Sequence, residues 1–232
     1  MRSRVNARPC SCVSVTYKCL FLTSQLSNWD CGLACVSMVL SSLAVPHTLL
    51  ELRNAADDPV RDGVWTIDLA YHLGKYGVQD FTYYTSYIGV NQQYTRTRFY
   101  SATLSRDRQR IHALFAGAHE RNIRVVAWTL PLDDMIRFLD SARYAILVLV
   151  DLALLTCREC GHGWARRRTR GDSETRFVGH YVLLVGYDAR TDRFLYRDPG
   201  TAHELCAVDA DRLDEARRAD GTDCDAIVVR VR

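Results

Sequence analysis

The chain has 232 residues, 48% of them hydrophobic and 25% charged, with a formal net charge of +3. That is enough apolar material for one substantial core, too little net charge to grip nucleic acid, and no apolar run is as long as a membrane span. A single α/β or α+β domain is the expectation that remains.

Charge sets the first stretch apart. Residues 1–29 hold Arg2, Arg4, Arg8 and Lys18 and no acid, which leaves 26 basic against 27 acidic residues in 30–232. Residues 1–21 read as a disordered basic leader, and their acid-free, Ser-containing composition also partly resembles an organelle transit peptide. The apolar piece at 19–22 is too short for a secretory core. Nine scattered cysteines, an odd number, argue against a secreted disulfide framework and for a reducing, intracellular setting in cytoplasm or nucleus.

A polar loop carrying Gln25 runs into Trp29-Asp30-Cys31-Gly32, and the apolar run over 33–43 reads as a buried helix with Cys31 in its first turn. A thiol there meets unpaired amide N–H groups and the positive end of the helix, which stabilise a thiolate. The plainer reading is that Cys31 fills a core. Cys35, four residues on, is expected beneath Cys31. Thr48 and Glu51 have capping-box spacing and open a short helix to about 56, stopped by Asp57-Asp58-Pro59. After a turn at Asp62-Gly63, Thr66 is expected to cap a second helix with Ile67, Leu69, Ala70 and Leu73 inward and Gly77 past its end.

Residues 78–85 are β-prone, and 91–106 read as an exposed connection. A helix follows over 107–121, with Ile111, Leu114, Phe115 and Ala118 at helical spacing. Then come a strand at 123–129, a helix opened by Pro131, Asp133 and Asp134 and ending near 141, and an unbroken apolar strand at 144–150. Such a run fits the centre of a sheet covered on both faces. An arm inserted at 151–178 breaks the pattern with Cys157, Cys160, His162 and the cluster Arg166, Arg167, Arg168 and Arg170. A second central strand at 179–187 turns into a hairpin strand at 193–196, ended by Asp198-Pro199-Gly200. Asp209 is expected to cap a helix to about 219, before a last strand at 226–231. Helices come first and strands late, which is α+β rather than alternating βαβ. One domain over 22–232 follows the leader.

Thiol hydrolysis needs a nucleophile, a base, a group that orients the base, and donors for the oxyanion. Cys31, His180, Asp198 and Gln25 can fill these roles in turn. His180 begins a strand and Asp198 ends its hairpin neighbour, so the two can lie side by side with the imidazole turned to Cys31. Gln25 can aim its amide where the Cys31 N–H also points. Each has an ordinary alternative: a satisfied core histidine, a turn aspartate before proline, a polar loop residue. The residues flanking the proposed centre, Trp29, Asp30, Gly32, Gly179 and Tyr181, are the expected substrate-lining positions.

Gln25 and Cys31 six apart, Asp30-Cys31-Gly32 with Ala34-Cys35, Gly179-His180-Tyr181-Val182 and Asp198-Pro199-Gly200 together resemble the papain-like C39 peptidase superfamily. More closely, the stretches 29–35 and 65–71, with Glu215 and Gly221-Thr222-Asp223, look like the guanylyl cyclase domain-containing protein family. The first resemblance implies a papain-like cysteine peptidase fold, with N-terminal helices on a mainly antiparallel sheet, and a Cys-His-Asp triad with Gln25 as oxyanion donor. The second family's name implies cyclisation of GTP to cyclic GMP. That chemistry wants metal-bound paired carboxylates and a phosphate cradle. No glycine-rich phosphate loop is present, and Asp62, Asp68, Asp133 and Asp134 each fit a turn or a helix start better.

The leading expectation is therefore a thiol hydrolase acting on a peptide, isopeptide or related amide, with a peptide or protein substrate and no nucleic-acid or membrane partner. A guanylate cyclase and a non-catalytic interaction module are the alternatives. Thiol hydrolysis requires no cofactor; Mg²⁺ or Mn²⁺ enters only with the cyclase. Cys157 and Cys160 can form half of a zinc site, with His162 a third ligand and His203, Cys206 or Cys224 an arbitrary fourth. The arginine cluster just before His180 suits a lid or a substrate-recognition arm.

Overall fold

The computed structural model describes residues 16–17, 20–55, 63–91, 104–157, 160 and 177–231. At its centre is helix α1 (Cys31–Ser42), in which every residue from Cys31 to Leu40 is buried. A helix apolar on all sides has no solvent face, so it can only sit between other elements. Helix α2 (Leu49–Ala55) follows, opened by the reciprocal Thr48–Glu51 bonds: Thr48 N–H to the Glu51 carboxylate at 2.7 Å, Glu51 N–H to the Thr48 hydroxyl at 3.1 Å. Helix α3 (Thr66–Lys75) starts one residue earlier than the Thr66 cap expected from sequence. Its N-cap is Trp65, whose N–H donates to Asp68, and the Thr66 hydroxyl pairs instead with Tyr181 Oη at 2.8 Å. Gly77, at φ +80°, takes the left-handed position that ends the helix.

Strand β2 (Phe81–Thr85) precedes the stretch 92–103, which lies outside the described residues. Helix α4 (Leu104–Gly117) begins three residues before the expected start and breaks into a 3₁₀ turn, His119–Arg121, closed by Asn122 in the left-handed region. Then come β3 (Arg124–Ala127), α5 (Leu132–Asp140), β4 (Tyr144–Asp151), β5 (Gly179–Asp188) and β6 (Arg193–Arg197). After them stand β7 (Cys206–Asp209), α6 (Ala210–Arg217) and β8 (Ala226–Arg230). β7 was not expected from the sequence. Asp209 is the N-cap of α6 by position, but its carboxylate accepts from Arg193 Nε rather than from the helix.

Within the stretch read as a basic leader, Thr16–Tyr17 form β1, antiparallel to Tyr187 and Gly186 of β5. The sheet runs β3-β2-β8-β4-β5-β6-β7 with β1 beside β5, and among the described residues only β2–β3 is parallel. β4 alternates between two cores. Ala145, Leu147 and Leu149 face the one built with α1, α3 and α4; Ile146, Val148 and Val150 face the one built with α5 and α6. The fold is α+β, with α1, α3 and α4 on one face of a mainly antiparallel sheet and α5 and α6 on the other.

Gly32 shows how tightly α1 is seated. A Cβ there would stand 2.7 Å from Leu69 Cδ1 and 3.0 Å from the Tyr181 ring. Gly32→Ala is expected to lose about 1–3 kcal/mol in denaturant unfolding through overpacking. An unchanged midpoint would show that Leu69 moves aside freely.

Candidate functional site

The loop before α1 folds around one carboxylate. Asp30 is fully buried, accepts from Leu26 N–H at 3.2 Å and Ser27 N–H at 3.0 Å, and ion-pairs with Arg53 Nε at 3.4 Å. Arg53 of α2 also donates to the Ser27 hydroxyl and lies 5.0 Å over the Trp29 ring. Asp30, expected among substrate-lining residues, is thus occupied in holding the loop. Arg53 carried no signal in the sequence, because a lone arginine on a short helix reads as solvated.

That loop delivers Gln25. Its N–H donates to the Pro199 carbonyl at 2.9 Å, tying it to the turn after β6. Its side-chain amide donates to the Ser27 carbonyl at 2.9 Å, which commits one N–H within the loop, while Oε1 is buried without a hydrogen-bond partner.

His180 and Asp198 meet across the β5–β6 hairpin. Nε2 of His180 bonds Asp198 Oδ1 at 2.8 Å, and the same oxygen accepts the Gly200 N–H at 2.8 Å. Both residues are buried. Nε2 being taken, Nδ1 is the ring nitrogen left over, and Cys31 is among the groups that act on the imidazole. Gly200 stands in the gap between the groups: a Cβ on it would lie 3.2 Å from Asp198 Oδ1, 3.5 Å from His180 Cε1 and 3.6 Å from Gln25 Oε1. Three segments distant in the chain, at Gln25, at His180 and at Asp198–Gly200, therefore converge.

The electrostatics follow from these contacts. Burial works against the imidazolium, but the hydrogen bonds and charges of Asp198 and Cys31 outweigh it, and the His180 pKa is pushed up to about 10. Cys31 is 5% exposed and is the first residue of α1, whose first turn holds no acid to compete for the positive helix end. Cys35 lies beneath it, fully buried, donating to the Tyr181 carbonyl at 3.6 Å; burial, then the charge of Cys31, raises its thiol well above the ordinary range.

The remaining expected positions fall as follows. Gly32 and Tyr181 pack against each other, and Tyr181 Oη is bonded to Thr66 and the Val64 carbonyl. Gly179 opens β5 opposite Asp151. Beneath Tyr181, sequence reasoning missed Asp225. Burial and then Asp223 raise its pKa to about 7, against hydrogen bonds from Thr66, Thr85 and Tyr83. Of the candidate cyclase carboxylates, Asp68 is bonded to Arg110 and to the α3 N-cap, and Asp133 and Asp134 start α5. Asp62 lies outside the described residues, as do His162 and the arginine cluster at 166–170. Cys157 and Cys160 are joined by Cys206 of β7, the three sulfurs lying within 4.8 Å of one another. Two surface depressions of about 600 and 590 Å³ lie elsewhere, around Val45 and Gly77 and around Trp128 and Tyr144.

The chain matches the guanylylate cyclase family over residues 20–229. It is 34% identical over 210 residues to Guanylyl cyclase 1 of Arabidopsis thaliana, covering 89% of this chain and 74% of that protein. Among solved structures it is similar to a putative C39-like peptidase from Bacillus anthracis. The TM-score is 0.52 and the identity 14%, over 92% of this chain and 98% of that one. That likeness concerns the fold.

Proposed function

This chain belongs to the guanylylate cyclase family, and within that family we propose that it is a thiol hydrolase acting on a peptide, isopeptide or related amide bond. The observation that carries the reading is the 2.8 Å bond between His180 Nε2 and Asp198, with Cys31, first residue of α1, among the groups acting on the same imidazole. In this reading the Cys31 sulfur attacks the amide carbon. The C–N bond breaks as His180 gives its proton to the leaving amine, and water then attacks the thioester with His180 as base. Asp198 holds the ring in its tautomer. The Cys31 N–H and the second Gln25 amide proton are the donors for the oxyanion. A peptide or protein is the substrate class that fits.

The family's name and the name of the Arabidopsis relative favour a second reading, guanylate cyclase activity. One experiment separates the two. Wild type and Cys31→Ala are treated with iodoacetamide and with a peptidyl electrophile, and GTP turnover is followed in parallel with Mg²⁺ and Mn²⁺. The hydrolase reading expects labelling at Cys31 and hydrolysis lost in Cys31→Ala. Metal-dependent GTP turnover that survives Cys31→Ala would replace it with the cyclase.

The raised His180 pKa sets a pH dependence. A group whose folded pKa stands above its ordinary 6.5 adds stability that is fully present below about 6.5 and is lost as pH rises through about 10. The proton needed by the leaving amine vanishes over the same upper limb. Hydrolysis is expected to fall on the alkaline side near pH 10. In Cys31→Ala the imidazole, followed by NMR, is expected to titrate lower, because Cys31 is one of the groups holding it up. A His180 titrating near its ordinary value in the wild type would contradict the proposed pairing.

A further inference from the structure

On the opposite face of the sheet from α1, three cysteines meet. Cys157 stands at the root of the inserted arm, Cys160 three residues on, and Cys206 opens β7. Cys157 and Cys206 are fully buried within the core built on α5 and α6, and Cys160 is half-buried at its edge. The three sulfurs lie within 4.8 Å of one another. A single disulfide would leave one of the three over, whereas a soft cation takes all of them.

A second observation points the same way. Tyr196 of β6 is fully buried, its hydroxyl has no oxygen or nitrogen partner, and the cysteines acting on it are Cys206 and Cys157. For a buried O–H whose neighbours are thiols, a metal-bound thiolate is a stronger acceptor than a neutral thiol.

We propose that Cys157, Cys160 and Cys206 hold a zinc ion. Zn–S bonds of about 2.3 Å at tetrahedral angles set sulfurs about 3.8 Å apart, which falls inside the 4.8 Å within which all three lie. The three thiols give up their protons to solvent on binding, so affinity rises with pH. The three thiolates fill three of the four positions of a tetrahedral site. Such an ion joins the root of the arm to β7, eight residues beyond Asp198, and so fastens the turn that carries Asp198 and Gly200.

The test uses the full chain, purified with reductant and without chelator, and its metal content measured by mass spectrometry. The expected result is about one zinc per chain. Cys206→Ser and Cys157→Ser are expected to bring it to near zero. Because those changes are in the core, Cys160→Ser is the milder variant, checked by circular dichroism for intact folding. Cys224→Ser and Cys31→Ala are expected to keep the metal, which makes this outcome independent of the hydrolase reading. Cobalt exchange should give the intense visible bands of tetrahedral thiolate ligation. Folded wild type that stays metal-free after incubation with zinc would overturn the proposal. So would zinc content unchanged in folded Cys160→Ser, or a disulfide linking two of these cysteines in reduced preparations.

Discussion

His180→Ala is expected to lower Cys31-dependent amide hydrolysis by roughly 10³- to 10⁴-fold or more, the scale seen when one member of such a cooperating set is removed. In the proposed mechanism one imidazole serves both steps, as the cation beside the sulfur during attack and as the proton donor to the leaving amine. It is held in place by a 2.8 Å bond to a fully buried carboxylate. Removing it takes the imidazole from Asp198 and the proton from the leaving group. Asp198→Asn keeps the shape but removes the charge, so the His180 pKa is expected to drop and the alkaline limb to move with it, since Asp198 supports the imidazolium through both a hydrogen bond and its charge. Single-turnover acylation by a peptidyl electrophile measures both variants. If His180→Ala loses less than about tenfold while remaining folded, the imidazole is not the base and the proposed mechanism fails.

The second large effect falls on stability. Asp30→Ala is expected to destabilise by about 3–5 kcal/mol, because it strips the partner from Arg53 and leaves two loop N–H groups without their acceptor. Arg53 is itself 13% exposed, so the orphaned guanidinium cannot simply hydrate. The loop that loses Asp30 is the one that carries Gln25, so hydrolysis at a temperature where the variant is still folded should also fall. Denaturant titration gives the first quantity. A loss below about 1 kcal/mol would mean that water replaces the carboxylate and that the 25–30 loop is held by Arg53 and Trp29 alone.

Where sequence and structure agree, the signal was local. The Thr48–Glu51 box needs only two side chains and three residues of helix, so its spacing is enough. The unbroken run of β4 fits a strand with two buried faces, and both faces are buried. The α4 start lies three residues early, and Trp65 rather than Thr66 caps α3, because Thr66 is drawn to Tyr181, 115 residues away. No local pattern carries that information. β7 has only four residues, too few for a period to register, and it exists because β6 offers it an edge.

The same division runs through the site. The chain alone specified which chemistry is available: a thiol at a helix start, an imidazole at a strand start, a carboxylate before Pro199. Residue type and near neighbours decide those properties. Tertiary structure decided how they are used. The β5–β6 hairpin brought His180 against Asp198; the Pro199 carbonyl captured Gln25; Asp30 turned inward to Arg53 instead of outward to a substrate; and Cys206 joined the Cys157–Cys160 pair. Each is a contact between segments far apart in sequence, fixed by sheet order and by which groups are denied water, and pairings of that kind leave no spacing in the chain to read.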